Sequence, residues 1–147
     1  MPGVPPELHA AIATRLRAVG QRYTTNRRAL VDVLVGAGQP LGIPEILTSG
    51  ERLAQSSVYR NLAVLEQAGA VHRIVTGDFA RYELAEDLTD DHHHHLICSV
   101  CGDVADFTAP RALETSLDRV MAKVADETGF APARHRLDLI GTCARCD

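Results

Sequence analysis

Apolar positions recur at helical spacing through the first half of the chain. Leu8, Ile12, Leu16 and Val19 share one helical face, and Gly20 follows them. Thr24 or Thr25 is placed to cap a second helix carrying Leu30, Val31, Leu34 and Val35, with Gly36 as its stop. Pro40 and Gly42 break the chain, and Pro44 suits the first turn of a short third helix over about residues 44–48. Ser56 or Ser57 would cap a fourth helix with Val58, Leu62, Leu65 and Ala68 inside it and Gly69 at its end. The period then changes. Two strand-like runs, residues 70–76 and 80–84, flank Gly77-Asp78 and predict a hairpin. Helices two to four followed by that hairpin make a winged helix-turn-helix.

Residues 86–91 are acidic and polar and read as a linker. Beyond them a strand runs through the histidines to Cys98, and residues 104–107 suggest another. Pro110 opens a long helix with Leu113, Leu117, Val120, Met121 and Val124 on one face, ended by Gly129. Residues 136–140 alternate and predict a third strand. The expected fold is α+β: a winged helix-turn-helix unit over residues 1–85, a hinge over 86–91, and a small α/β unit over 92–147.

Composition narrows the class only slightly. The 147 residues are 46% hydrophobic and 23% charged, ordinary for a folded soluble domain. Aromatics are 4% and Trp is absent, so the core has to be built from aliphatic residues. The uncharged runs are too short to span a bilayer, and the N-terminus has neither the basic start nor the apolar stretch of a secretory signal; the expectation is a cytoplasmic protein without a membrane partner. The net charge of −4 is unevenly spread. Residues 1–70 carry 7 Arg against 5 Asp or Glu, whereas residues 71–147 carry 8 Lys or Arg against 14 Asp or Glu. A mildly basic half that can approach phosphate thus precedes an acidic half that can hold cations.

All four cysteines lie in two CxxC turns, Cys98-Ser99-Val100-Cys101 and Cys143-Ala144-Arg145-Cys146. Two intervening residues let both sulfurs of one turn face one ion, and two such turns supply the closed tetrahedral set of a structural zinc. Two disulfides or four free thiols are the alternative, and a reducing compartment disfavours the disulfides. Four thiolates leave no open position for a water, which argues against catalytic zinc.

His92-His93-His94-His95 leads directly into Leu96, Ile97 and Cys98. On a strand, His93 and His95 face one side and His92 and His94 the other, giving two half-sites that each need further ligands. Candidates are His72, Asp78, Glu83, Asp90, Asp91, Asp103, Asp106, Glu114, Asp118 and His135. Imidazole with carboxylate suits Zn, Fe, Mn or Ni. A zinc hydrolase is disfavoured: the chain has no HExxH helix pair, no nucleophile motif and no phosphate loop, so neither an enzyme nor a small organic substrate is expected.

Arg22, Thr24, Arg27-Arg28, the Ser57-Val58-Tyr59-Arg60-Asn61-Leu62 segment, the histidine run before Cys98-Ser99-Val100-Cys101-Gly102, and the stretch from His135 to Cys146 together resemble the ferric uptake regulator (Fur) superfamily from about residue 8 to the end. The resemblance implies a metal-dependent repressor of metal-ion homeostasis genes that binds a palindromic operator in double-stranded DNA as a homodimer. It implies structural zinc on Cys98, Cys101, Cys143 and Cys146. It implies a sensory site of Glu83, His93 and His95 at the hinge, joined by His72, which falls where zinc-sensing relatives place an Asp. His92, His94, Glu114 and His135 look like a second metal site, with Asp118 competing for Glu114. Tyr59 and Arg60 lie on the recognition helix, Ser56 and Ser57 at its start; Tyr59 could meet a thymine methyl and Arg60 a guanine or phosphate, while Arg15 and Arg22 are further candidate DNA contacts.

The departures bear on which metal is sensed. Pro40 occupies the place before the third helix where many iron, nickel and peroxide sensors supply a histidine. Zinc sensors often use a Cys in the sensory site, and this chain has none to spare. The expected regulatory metal is zinc, as in the zinc uptake (Zur) branch, ahead of an iron- or manganese-responsive repressor, with a peroxide sensor third because its iron site usually needs the histidine missing at Pro40.

Overall fold

The computed structural model describes residues 3–49, 53–89 and 92–147; Asp90 and Asp91, among the candidate ligands, lie outside the described residues. Helix α1 (Pro6–Ala18) buries Leu8, Ile12 and Leu16 on one stripe. Helix α2 (Thr25–Ala37) is capped by Thr24, whose hydroxyl accepts from the Arg27 N–H at 3.3 Å. Its stop is Gly38, at φ 66°, and the expected stop, Gly36, stays inside the helix. The chain leaves α2 through a left-handed residue, a conformation that Gly38 takes without the Cβ penalty. Helix α3 (Ile43–Leu47) has Pro44 in its first turn. Helix α4 (Gln55–Gln67) begins before Ser56 and Ser57: its N-cap is Ala54 and no side chain caps it, so the expected serine cap does not form. Leu30, Val31, Ile46, Val58, Leu62 and Leu65 close the core among these helices.

Strands β1 (Val71–Thr76) and β2 (Phe79–Leu84) form the predicted hairpin around Gly77-Asp78, with Val71 opposite Leu84 and Thr76 opposite Phe79. Leu41 adds a short third rung, exchanging backbone hydrogen bonds of 2.9 and 2.7 Å with Tyr82. Strand alternation gives the hairpin two different faces. Val71, Tyr82 and Leu84 enter the helical core. His72, Ile74, Arg81 and Glu83 occupy the other face, by the same register. A one-residue slip would exchange the two sets.

The chain then makes one 3-10 turn, Glu86–Leu88. Strand β3 (His94–Cys98) is central in a three-stranded sheet, antiparallel to β4 (Val104–Phe107) and parallel to β5 (Asp138–Gly141). The third strand thus starts two residues later than its alternation suggested. Helix α5 (Arg111–Thr128) follows Pro110 and ends at Gly129, φ 72°. Its expected apolar face is not covered: α5 buries no residue, and Val120 is 56% exposed. A small cluster of Ile74, Ile97 and Val104 joins the outer face of the hairpin to the sheet. No helix among the described residues is long and apolar enough to cross a membrane.

Candidate metal centres and the DNA-facing helix

The parallel pairing of β3 with β5 sets Cys98 opposite Gly141, which brings both CxxC turns to the same end of the sheet. The four Sγ atoms lie within 4.8 Å of one another. Cys101 Sγ and Cys143 Sγ are 3.8 Å apart. That is far beyond a disulfide bond and equals the edge of a tetrahedron with metal–sulfur bonds of about 2.3 Å. Backbone N–H groups of Cys101 and Cys143 point at Cys98 Sγ, at 3.5 and 3.4 Å, and lower its thiol pKa to about 6. The Cys146 thiol, sharing a proton with Cys143 and partly desolvated, is pushed up to about 12. Four thiolates in this space require a cation, so the donor set fits zinc. Gly102 closes the first turn at φ 77°, and a Cβ there would lie 2.3 Å from Cγ of Phe79, at the tip of the hairpin.

The alternation of the histidine run divides it as expected. His93 and His95 meet Glu83 of β2 and Asp106 of β4, and the four ligand atoms lie within 4.8 Å. His93 Nε2 is 3.1 Å from Glu83 Oε2, and His95 Nε2 is 2.8 Å from Glu83 Oε1. Asp106, register partner of His95, stands 3.6 Å from each ring through its two oxygens. Burial opposes ionisation of Glu83, but hydrogen bonds and charges from His95 and His93 outweigh it and hold the carboxyl below its usual range. Burial and the neighbouring Glu83 charge raise Asp106. Behind His95, its buried Nδ1 and the buried Asp138 Oδ1 are 3.5 Å apart, and neither has a hydrogen-bond partner among the described residues. A cation on Nε2 would fix the proton on Nδ1 and give both orphaned atoms a use, so the site fits a metal.

On the opposite side of the strand, His92, His94, Glu114 of α5 and His135 form a second group. The Nε2 atoms of His92 and His135 are 3.0 Å apart and lie 3.0 and 2.8 Å from Glu114 Oε2; buried His94 touches Glu114 Oε1. Three converging imidazole nitrogens with one carboxylate are a donor set for a divalent metal. Glu114 takes the place for which Asp118 competed.

Other candidate residues make contacts of their own. His72 faces the same cavity as Glu83, His93 and His95, but stands outside the group of four. Its Nε2 lies 3.0 Å from Arg134 Nη1, and because a guanidinium can only donate, that lone pair is occupied. Burial, then the Arg134 charge, lower the His72 pKa. Asp106, one of the open candidates, completes the set instead. Arg15 is engaged within the chain: its guanidinium donates to Asp87 through both terminal nitrogens, at 3.1 and 2.9 Å, and to the Gly69 carbonyl at 2.7 Å, tying α1 to the 3-10 turn. Pro40 is fully buried, and it is Gln39 that lines a cavity with Glu83, His93 and Asp106.

On α4, Tyr59 is 53% exposed and Ser56 and Arg60 are exposed, as is Arg22 before α2. Ser57 instead turns inward, its hydroxyl accepting from Asn61 Nδ2 at 3.1 Å. Asn61 is buried and accepts from Arg27 Nε at 3.0 Å, and Arg27 also holds the Arg22 carbonyl at 2.6 Å. This brace between α2 and α4, which periodicity could not reveal because both residues are polar, sets the angle of the exposed face.

The profile of the Ferric uptake regulator family matches residues 18–140. The chain is 33% identical over 145 residues to the peroxide operon regulator of Bacillus subtilis (strain 168), covering 95% of this chain and 93% of that protein. It is similar in structure to the Helicobacter pylori ferric uptake regulator, described as having three functional metal-binding sites (TM-score 0.70, 27% identity, 99% of this chain and 97% of that one). It is similar also to the Vibrio cholerae ferric uptake regulator (TM-score 0.67, 29% identity, 88% and 98%). With its winged helical unit, its four-cysteine cluster and its histidine–carboxylate sites, the chain belongs to the ferric uptake regulator family of metal-dependent transcriptional repressors, and is not an enzyme.

Proposed function

We propose that this chain is a zinc-responsive repressor of metal-homeostasis genes, gated at the hinge by Glu83, His93, His95 and Asp106. One observation carries the reading: Glu83 comes from the wing of the first unit, residues 1–85, and the other three ligands come from the second, residues 92–147. A bound divalent ion supplies the positive charge that these two carboxylates otherwise lack. The residues themselves do the rest. Glu83 links wing to sheet, and His95 on the central strand and His93 just before it hold that link. Arg81 steadies the same face, donating to Glu45 of α3 at 2.6 Å and to Asp103 beside the cysteine turn at 2.9 Å. With the angle between the units set, two copies present their α4 helices at one spacing, as two-fold binding to successive major grooves of a palindromic site requires. Tyr59, Arg60 and Ser56 are the proposed base and backbone contacts, with Arg22 on phosphate. Cys98, Cys101, Cys143 and Cys146 hold structural zinc; His92, His94, Glu114 and His135 hold a second metal.

The uncovered apolar surface supports a homodimer. Ile140 is 73% and Leu139 51% exposed on β5, an edge strand with no strand on its outer side among the described residues, and α5 adds Val120 and Leu113. Unpaired edges and apolar stripes of this kind are stable when a second copy covers them.

A response to Fe(II) or Mn(II) is the second reading. Both carboxylates turn two oxygens toward the histidine pair, enough for the larger oxygen-rich sets these ions accept, and the B. subtilis relative is named a peroxide operon regulator. The deciding test is binding to a promoter fragment from its own genome's metal-uptake genes, with structural zinc retained and the histidine sites stripped, in separately buffered Zn(II), Fe(II) and Mn(II). Tight binding with zinc alone supports the first reading, response to iron or manganese the second, and no response to any metal overturns both.

A further inference from the structure

His92 and His93, consecutive residues just before β3, go to different metal sites, so their settings are linked through one stretch of backbone. Glu86, in the 3-10 turn at the hinge, is placed to keep them in step. Its Oε1 is 2.6 Å from His92 Nδ1 and accepts a hydrogen bond from the backbone N–H of His93 at 3.0 Å. His92 turns its other ring nitrogen, Nε2, to the Glu114 site, whereas His93 belongs to the Glu83 site. One carboxylate oxygen therefore grips the ring of a ligand to one site and the backbone of a ligand to the other. Glu86 is itself partly buried.

We propose that Glu86 is the positioning residue that couples the two histidine sites. The inference rests on the reading of both as metal sites. A histidine whose Nε2 ligates must carry its proton on Nδ1, and a carboxylate accepting that proton fixes tautomer and ring angle. Filling the Glu114 site thereby fixes Glu86, and Glu86 in turn fixes the backbone from which His93 reaches the Glu83 site. Because coupling is reciprocal, filling the Glu83 site tightens the other by the same factor.

The test is a cycle on the full chain with structural zinc retained, using zinc alone as the probe. Zinc affinity at the Glu83 site is measured by chelator competition and assigned from the ring nitrogen signals of His93 and His95. The second site is disabled by His135→Ala. In the parent protein that change should weaken zinc at the Glu83 site by about 5- to 150-fold, the usual span of coupling between sites. In a Glu86→Ala background it should have no further effect. Glu86→Gln, whose amide oxygen still accepts from both N–H groups, should restore the coupling and the Nδ1–H signature of His92; a role in folding alone predicts neither. Undiminished coupling in Glu86→Ala, or sites that fill independently in the parent, overturns the proposal while leaving the metal sites standing. Zinc at neither histidine site overturns this inference and the functional reading together.

Discussion

Glu83→Ala isolates the step on which the proposed gating depends. Glu83 is the one ligand of the hinge cluster that the wing contributes, and its side chain is only 14% exposed between two histidines at 3.1 and 2.8 Å. The remaining three ligands, His93, His95 and Asp106, all belong to the sheet side. The variant can still hold zinc there, more weakly, yet nothing then ties the ion to the wing. A ligand shifts a conformational equilibrium only by its differential affinity for the two states. Without Glu83 that difference should vanish, removing a coupling of about 1–3 kcal/mol, or about 5- to 150-fold in DNA affinity. Metal-free DNA binding should stay within about twofold, since no DNA-facing residue changes. The loss of two charged hydrogen bonds, about 1.5–3 kcal/mol each before the neighbouring Asp106 compensates, should appear as a lower melting point of metal-free protein. The assay is fluorescence anisotropy of labelled operator at saturating buffered zinc, with occupancy followed by the His93 and His95 ring signals. Zinc-dependent DNA binding of parental size in a variant shown to be occupied would refute the bridging mechanism.

Three further outcomes follow from the same contacts. Gly102→Ala combines a left-handed backbone, φ 77°, with a clash against Phe79, and should lower stability by about 1–3 kcal/mol in thermal unfolding; an unchanged melting point would mean the hairpin tip does not rest on the cysteine turn. Asp138→Leu removes the carboxylate behind His95 and should weaken zinc at the Glu83 site by about 10- to 100-fold with the cysteine site still loaded, and equal affinity by chelator competition would remove Asp138 from the site. Zinc affinity there should fall as pH is lowered, starting above the ordinary histidine range. Burial works against protonating His95, but its hydrogen bond to Glu83 and the charges of Glu83 and Asp106 outweigh it and raise the pKa. Above that raised value the ion displaces no proton from His95; below it the affinity drops about tenfold per pH unit for each proton displaced. An affinity flat down to the ordinary histidine range would contradict that assignment.

What could be read along the chain is what depends on near neighbours. Two CxxC turns have their geometry built into their spacing, and they converge as expected. The division of His92 and His94 from His93 and His95 follows the two-residue alternation expected of the run, although the strand itself begins only at His94, and the Gly77-Asp78 turn follows from the glycine. Helix ends were less legible: Gly36 and Gly38 are equally good stops by composition, and only the backbone shows that Gly38 takes the left-handed conformation that ends α2. What tertiary structure alone decided is which distant side chains meet. Asp106 rather than His72 completes the hinge cluster because the β3–β4 register sets Asp106 opposite His95, while Arg134, far along the chain, occupies the lone pair of His72. Arg15 pairs with Asp87, a partner 72 residues away that no local pattern announces. The exposure of α5 was invisible to periodicity, since an apolar stripe looks the same whether its own chain or a second copy covers it. Spacing constrains what one strand or turn can present; register and packing between elements determine what it is presented to.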